Sequence, residues 1–234
     1  MLTDGVEITS VSGARFGAYL GKPTTPSAPI VVIAQEIFGV TPFIRQTADW
    51  LVGAGFGCIC PDLYWRQAPN TELDANAPEE RERALALFRD FDLEAGVDDL
   101  ARTIEYARTL PFSNGRIAVV GYCLGGALAF EVAARSLADC SIGYYGVGLE
   151  KKVSSVPSIV RPSMFHMGTE DHYVSSETRT ILVEHFVRNK NVELHWYAAG
   201  HSFARSSSPN FNPTATAAAN ARTLEMLDSL KTSS

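Results

Sequence analysis

The chain has 234 residues, of which 46% are hydrophobic and 20% are charged, a balance typical of a globular protein. Its 26 acidic and 20 basic residues give a net charge of −6, which argues against a nucleic-acid or anionic-membrane partner. No apolar stretch is long enough to span a bilayer, and the N-terminal stretch MLTDGVEITS lacks the basic and apolar segments of a signal peptide. We therefore expect a cytoplasmic protein, and the length favours a single domain over residues 1–234.

Strands and helices alternate along the chain. A first hairpin is predicted over Val6–Ile8 and Arg15–Leu20. The continuous apolar run IVVIAQ (Ile30–Gln35) is typical of a parallel strand that is buried on both faces. A helix should begin at Thr41-Pro42 and end at Gly53, because threonine is a good N-cap and proline suits the first helical position.

The alternation continues to the end of the chain. The further predicted elements are strand Gly57–Pro61, a helix beginning near Pro78, helix Val97–Ala107, strand Arg116–Val120, helix Leu124–Arg135, strands Ser141–Tyr145 and Ser163–Met167, helix Glu177–Arg188, strand Val192–Tyr197 and helix Ala215–Leu230. This pattern predicts an α/β fold with a mostly parallel sheet covered by helices on both faces. Ligands in such folds bind beyond the carboxyl ends of the strands, so catalytic and binding residues are expected there.

The segment IAVVGYCLGGALAF carries the strongest chemical signal, since an apolar strand runs through Gly121, Cys123 and Gly125 into a helix. This is the Gly-x-nucleophile-x-Gly elbow, with cysteine in place of serine. It would hold the Cys123 sulfur at a helix N-terminus, where the helix dipole and unpaired N–H groups favour a thiolate. The alternative is a structural cysteine in a glycine-rich turn. Strand, glycines and helix together favour the nucleophile.

The other cysteines carry no such signal. No pair has the CxxC spacing of a zinc or redox site, so we expect no metal and, in a reducing compartment, free thiols. Cys58 and Cys60 fit the alternation of a buried strand and are expected to be apolar core residues.

An elbow of this kind requires an acid and then a histidine further along the chain. The strand SMFHMG leads into Asp171, the predicted acid, with Glu170 as the nearest alternative. The strand VELHWY leads into a loop that contains His201, and a loop after a strand is the usual place for the base. The remaining histidines considered fit less well because they lie inside predicted strands or a helix, namely His166, His185 and His195.

Two backbone N–H groups are expected to bind an oxyanion. One belongs to Leu124, which follows the nucleophile, and the other to Ile37, in the loop after IVVIAQ. Glu36 in that loop follows a wholly apolar strand, where a carboxylate is costly unless it is solvated or partnered. It either caps the helix region at Thr41 or lies near Cys123 and governs the ionisation of its thiol, and we favour the second interpretation.

Two arginines are candidates for binding an anionic substrate. Arg81 has no acidic residue three or four positions away on its predicted helix, whereas its neighbour Arg83 has two. Arg205 lies four residues after His201 in the same loop. For each candidate, a solvated surface arginine is an equally weighted alternative.

Six short segments spread over the chain form a characteristic set when they are taken together. They read EIFGV, CPDLYWRQAP, SNGRIAVVGYCLGGALAF, GYYGVGLE, FHMGTEDH and GHSFAR. Together they resemble the dienelactone hydrolase (carboxymethylenebutenolidase) family, and the combination of a cysteine elbow with EIFG and GHSFAR is more specific than any single motif. The resemblance implies a monomeric α/β-hydrolase without a cofactor. It also implies hydrolysis of dienelactone to maleylacetate in the bacterial breakdown of catechols, chlorinated ones included.

Carried over residue by residue, the resemblance implies that Cys123, Asp171 and His201 form a catalytic triad and that Glu36 is the partner of the thiol. It also implies the groups that bind the substrate carboxylate and the oxyanion, which are the side chains of Arg81 and Arg205, the backbone N–H groups of Ile37 and Leu124, and a pocket-lining Ser202. Leu85 departs from the pattern, because an aromatic substrate contact is expected there in close relatives. The preference among ring substituents is therefore left open.

Two other functions remain open. A broader esterase or thioesterase of the same fold would differ from a dienelactone hydrolase only in the substrates that it accepts. A non-catalytic binding protein would not need an elbow, an acid and a histidine together, and is the least favoured. The expected partner is a small anionic lactone, with no nucleic acid and no membrane.

Overall fold

The computed structural model describes residues 5–231, so the first four residues of MLTDGVEITS lie outside the described range. The described chain divides into two compact units, with the boundary between Val119 and Val120. Within residues 5–231, no helix combines the length and the apolar character that crossing a membrane requires.

The first unit contains four complete strands, three helices and the beginning of a fifth strand. These elements are β1 (Gly5–Thr9), β2 (Arg15–Gly21), β3 (Ala28–Ala34), α1 (Pro42–Gly53), β4 (Gly57–Pro61), α2 (Pro78–Arg89), α3 (Leu93–Thr109) and the start of β5 (Ser113–Tyr122). The strand order is β1-β2-β4-β3-β5. Strand β2 is antiparallel to both β1 and β4, and β3 is parallel to β4. Every residue of β3 is buried, as its continuous apolar run predicts.

The second unit begins in β5 and contains the remaining strands. Its further elements are α4 (Leu124–Ala134), β6 (Cys140–Tyr144), a 3₁₀ helix (Leu149–Ser158), β7 (Ser163–Gly168), α5 (Ser176–Phe186), β8 (Val192–Tyr197) and α6 (Pro213–Asp228). The strand order is β5-β6-β7-β8. Strand β7 pairs in parallel with both β6 and β8, so the carboxyl ends of these three strands lie at one edge of the sheet.

Local sequence explains where the helices begin. Pro42 occupies the first turn of α1, where a missing N–H costs no hydrogen bond. The side chains of Asp92, Ser175 and Asn212 accept hydrogen bonds from backbone N–H groups in the first turns of α3, α5 and α6. Three phenylalanines then hold helices on the second unit's sheet, since Phe130, Phe165 and Phe186 pack with ring centroids 5.3–5.8 Å apart.

The predicted elements are confirmed in type and order, with shifts at their ends. Strand β3 begins at Ala28 and ends before Gln35, and β5 begins at Ser113 rather than Arg116. Gly115 has a φ of +84°, a turn-like conformation that hid the first residues of β5 from the sequence prediction. The 3₁₀ helix was not predicted, because LEKKVSSVPS has no helical apolar repeat and contains Pro157.

Candidate active site

Cys123 lies at a sharp turn between β5 and α4. Its φ of 54° and ψ of −109° form a conformation that L residues rarely adopt. A Cβ on Gly121 would come within 1.8 Å of the Gly125 carbonyl oxygen, and one on Gly126 within 2.6 Å of the Tyr144 carbonyl oxygen. Only glycine permits this close packing, so the chain turns here as the Gly-x-Cys-x-Gly pattern predicts.

Two hydrogen bonds join Cys123, His201 and Asp171. The Nε2 atom of His201 lies 3.2 Å from Sγ of Cys123, and its Nδ1 atom lies 2.7 Å from Oδ2 of Asp171. Asp171 follows β7 and His201 follows β8, and because these strands are parallel neighbours the two residues lie at the same edge of the sheet. Asp171 and His201 are buried and Cys123 is half-buried. The structure therefore brings together the three residues that the sequence predicts as a triad.

Asp171, not Glu170, faces the imidazole. The carboxylate of Asp171 uses both oxygens, since Oδ2 contacts His201 and Oδ1 accepts the backbone N–H of Tyr173 at 2.9 Å. Glu170 is exposed, and its backbone N–H donates to the carbonyl of Ala199 at 3.0 Å. The acid is thus fixed from two sides, and the alternative considered from the sequence points elsewhere.

The surroundings of His201 favour its charged form. Burial lowers the pKa of this imidazole, but the negative charge of Cys123 and the hydrogen bonds to Asp171 and Cys123 outweigh burial and raise the pKa to about 10. A protonated imidazole next to the Cys123 sulfur is therefore favoured at neutral pH. A thiolate is the nucleophilic form of cysteine, so the pair is suited to attack on a carbonyl carbon.

The loop that carries His201 is held by its own side chains. Ser202 has a φ of 57°, and its hydroxyl donates to the His201 carbonyl at 2.6 Å and lies 3.0 Å from the Ser208 hydroxyl. The Asn210 amide donates to the same carbonyl at 3.1 Å. These contacts give Ser202 a function within the loop that the sequence did not indicate. Its expected contact with a substrate stays a prediction.

Two tyrosines at the site were missed by sequence reasoning. The ring of Tyr145, just after β6, has its centroid 5.2 Å from that of His201, and the ring of Tyr173 is 4.8 Å away, both edge to face. The paired tyrosines of GYYG at a strand end were the available signal for Tyr145. Tyr173 had none beyond its nearness to Asp171 in the chain.

Arg205 and Arg81 differ in their surroundings. Arg205 is only 8% exposed, and its backbone bonds to Ser202 and Ser208 keep it in the loop of His201. Arg81 lies on α2 in the first unit and is exposed. Its side chain has no hydrogen bond or ion pair with any other residue in the range 5–231, in line with the missing helix partner noted from the sequence.

Glu36 and Ile37 lie in a well-packed loop of the first unit. Glu36 is 1% exposed and Ile37 is half-buried, directly after β3. Gly39 has a φ of +87°, and a Cβ there would lie 1.8 Å from the Thr71 carbonyl oxygen, so the loop requires glycine. An apolar cluster fixes the loop against α2 and consists of Phe38, Leu73 and Ala84.

The described residues hold no cluster of three or more His, Cys, Asp and Glu side chains that could bind a metal ion. All four cysteines are free thiols. Burial raises the pKa of Cys140 to about 12 and that of Cys58 and Cys60 further above the usual range, so these thiols stay neutral. Cys123 is the one half-buried cysteine.

Comparison with known proteins gives a consistent result. The model of the dienelactone hydrolase family matches residues 16–231. Carboxymethylenebutenolidase 1 of Cupriavidus pinatubonensis (strain JMP 134 / LMG 1197) is 81% identical over 231 residues, which is 99% of this chain and 99% of the relative. Carboxymethylenebutenolidase of Pseudomonas sp. (strain P51) is 54% identical over 231 residues, or 99% of this chain and 97% of the relative.

Solved structures agree with this on the fold. The crystal structure of dienelactone hydrolase from Anabaena variabilis has a TM-score of 0.70 at 17% identity and covers 98% of this chain and 100% of that chain. The α/β-hydrolase fold with a mostly parallel sheet, predicted from the sequence, is confirmed. With a family match over nearly its whole length and an 81% identical relative, this chain belongs to the dienelactone hydrolase family.

Proposed function

We propose that this protein is a cysteine-dependent hydrolase that converts dienelactone (4-carboxymethylenebut-2-en-4-olide) to maleylacetate in bacterial degradation of catechols and chlorocatechols. The observation that carries the proposal is the chain of two hydrogen bonds from Cys123 through His201 to Asp171. The carboxymethylenebutenolidases that share 81% and 54% of its residues support the choice of substrate. The catalytic residues are Cys123, His201 and Asp171.

The first half of the reaction forms a thioester. The Cys123 thiolate attacks the lactone carbonyl carbon, and the backbone N–H groups of Leu124 and Ile37 bind the oxyanion. Leu124 begins α4, where the first N–H groups have no acceptor within the helix. The ring C–O bond then breaks, and the enolate that leaves takes a proton from the His201 imidazolium and becomes the ketone.

The second half releases the acid. Once the sulfur is acylated it carries no charge, and the largest influence that raises the pKa of His201 is lost. The neutral imidazole, still held by Asp171, takes a proton from water while the water oxygen attacks the thioester carbon. Cys123 leaves as a thiolate, and the thiolate–imidazolium pair is restored. The net reaction consumes one water per lactone.

The substrate carboxylate is proposed to bind Arg81 and Arg205. For Arg205 the support is its place in the loop that carries His201, where its backbone bonds to Ser202 and Ser208. For Arg81 the support is a guanidinium without a side-chain partner among the described residues.

Glu36 is proposed to govern the ionisation of Cys123. The support is its place, since a 1% exposed carboxylate follows a wholly buried strand in the loop that is also expected to supply an oxyanion donor. Glu36→Gln keeps the size and removes the base, so turnover should fall and the pH dependence of kcat should change while the fold persists. An unchanged pH profile would reduce Glu36 to a structural loop residue.

The substrate assignment is tested by following cis- and trans-dienelactone by ultraviolet absorbance, beside a panel of uncharged aryl esters and thioesters. A dienelactone hydrolase should give a much higher kcat/KM on the anionic lactones than on any neutral ester. Comparable values across the panel would instead indicate a broader esterase or thioesterase. Rapid alkylation of a single cysteine by iodoacetamide, with loss of turnover, separates either enzyme from a non-catalytic binding protein.

Four further expectations belong to the same proposal. We expect a single hydrolase domain over residues 1–234, and the family match over 16–231, which crosses the boundary between the two units, supports it. We also expect the protein to be cytoplasmic. We expect it to be a monomer, and light scattering coupled to gel filtration would test its oligomeric state. A small anionic lactone is the expected partner.

A further inference from the structure

The backbone at the end of β6 contacts the turn that carries Cys123. The tyrosine platform, defined as residues 143–146 with the sequence GYYG, comprises the last two residues of β6 and the two residues that follow. The carbonyl of Tyr144 accepts the backbone N–H of Cys123 at 3.0 Å. A Cβ on Gly146 would lie 2.9 Å from the carbonyl carbon of Gly126 in α4, so the platform packs directly on the helix that follows the nucleophile.

Tyr145 adopts an unusual conformation within this platform. Its φ is +39°, in a region that disfavours bulky residues, and its backbone N–H donates to the His166 carbonyl at 2.8 Å. Strained residues persist where surrounding contacts over-determine them, and they concentrate at functional sites. Here the strained backbone places a fully buried ring with its centroid 5.2 Å from that of His201.

Tyr173 reaches the same imidazole from the loop after β7. Its ring lies 4.8 Å from His201 at an interplanar angle of 76°, and its backbone N–H is bonded to Asp171. Both tyrosine rings are thus tied by nearby backbone to another member of the triad. Tyr145 adjoins the residue that binds Cys123, and Tyr173 binds Asp171.

We propose that Tyr145 and Tyr173 are positioning residues that clamp the His201 imidazole in line between Asp171 and Cys123. This inference rests on the proposed function for its effect on turnover. Once the Cys123 sulfur is acylated, the hydrogen bond to Asp171 does not by itself keep the ring from pivoting, whereas Nε2 must stay aligned with the reacting groups through two proton transfers. Edge-to-face contacts from two loops restrict that pivot. In the second unit, the titratable groups that face His201 are Cys123, Tyr145, Asp171, His172 and Tyr173.

The test compares Tyr145→Leu and Tyr173→Leu with Tyr145→Phe and Tyr173→Phe. One readout is kcat on dienelactone, and the other is the pH dependence of Cys123 alkylation by iodoacetamide in the free enzyme. Loss of a ring should lower kcat by about tenfold or more. It should also move the alkylation midpoint up by about 0.5–1 pH unit, because a threefold to tenfold weaker thiolate–imidazolium pair forms at higher pH. The phenylalanine variants should restore both values.

Tyr106→Leu, a half-buried tyrosine of α3, is the control and should leave both readouts unchanged. Folded leucine variants that keep the wild-type kcat and alkylation profile would overturn the clamp. So would a fall in kcat without any shift of the alkylation midpoint, which indicates a merely structural function. Tyr173 is 44% exposed, so its variants keep the test valid if Tyr145→Leu does not fold. Alkylation needs no lactone turnover, so a shifted midpoint in an enzyme that does not hydrolyse dienelactone would reject the proposed function and retain the clamp.

Discussion

Two buried histidines of the second unit, His166 and His201, have opposite electrostatic surroundings. His166 lies within β7 and bonds two neutral hydroxyl groups, with Nδ1 2.9 Å from the Tyr197 oxygen and Nε2 3.1 Å from Oγ1 of Thr223. Burial, with smaller contributions from His195 and Arg222, lowers its pKa to about 3. His201 bonds a carboxylate and a thiol instead, and its pKa is raised to about 10.

Burial alone therefore does not decide the charge of an imidazole. Both rings are desolvated, which favours the neutral form in each case. At His166 the partners are neutral hydroxyl groups, which do not oppose the effect of burial on the pKa. This imidazole therefore stays uncharged, and its two hydrogen bonds join β7 to β8 and α6. Anionic partners reverse it at His201, which can therefore give and take protons.

The largest expected effect comes from breaking the ionic partner of His201. Cys123→Ser should lower kcat/KM on dienelactone by about a thousandfold or more, because a hydroxyl must lose its proton during attack whereas a thiol can be ionised beforehand. Cys140→Ser, at the opposite end of β6 from Tyr144, serves as the control and should keep near wild-type turnover. Near wild-type rates in Cys123→Ser would contradict the thiolate mechanism.

The next largest loss of turnover is expected when the carboxylate of Asp171 is replaced. Asp171→Asn should lower kcat by about 10²–10⁴-fold, because an amide neither stabilises the imidazolium nor fixes the same tautomer. Glu170→Gln is a matched control, one position away and exposed, and it should change kcat less than twofold, as is usual for surface substitutions. If steady-state kinetics give the two variants similar losses, the assignment of the acid is wrong.

Substitution of Arg81 or Arg205 should cause a smaller loss of kcat/KM on dienelactone. Arg81→Ala and Arg205→Ala should each lower kcat/KM on dienelactone by about 10–150-fold, equivalent to about 1.5–3 kcal/mol for a charge-assisted hydrogen bond. Neutral aryl esters should be affected far less. Arg83→Ala on the same helix controls for general effects on α2. Equal losses on charged and neutral substrates would reject carboxylate binding.

The opposite pKa shifts of His166 and His201 predict opposite effects of pH on the free energy of unfolding. The pKa of His166 falls on folding, so stability should decline as pH drops from about 6.5 towards about 3. The pKa of His201 rises on folding, so its contribution is present below about 6.5 and is lost as pH rises towards about 10. Each slope is at most about 1.4 kcal/mol per pH unit.

Urea denaturation across this pH range measures both slopes. His166→Gln should flatten the acid side, and Cys123→Ser, which removes the thiolate, should flatten part of the alkaline side. Unchanged curves in both variants would show that other groups determine the pH dependence.

Much of the site was predictable because chain order and strand ends constrain it. Cys123, Asp171 and His201 each follow a predicted strand, and parallel strands bring such residues to one edge. Side-chain direction was not predictable in the same way. Asp171 and Glu170 are adjacent in sequence, and only the structure separates the buried oxygen acceptor from the exposed one.

Conformations outside the common regions account for most of what the sequence left hidden. Tyr145 reaches His201 only because its φ is +39°, and no periodicity marks such a residue. Ser202 at φ 57° turns its hydroxyl back onto the loop, which a prediction based on position alone could not anticipate. The 3₁₀ helix over Leu149–Ser158 likewise depends on local turns that leave no apolar repeat.

Titration of the histidine rings by nuclear magnetic resonance directly measures which of the two imidazoles carries a proton at neutral pH. In the wild type, His201 should remain protonated through pH 8 and His166 should remain neutral down to pH 5. Replacing the thiolate in Cys123→Ser should lower the pKa of His201 and leave His166 unchanged. A His201 that titrates near 6.5 in the wild type, or that keeps its pKa in Cys123→Ser, would contradict the thiolate–imidazolium pair.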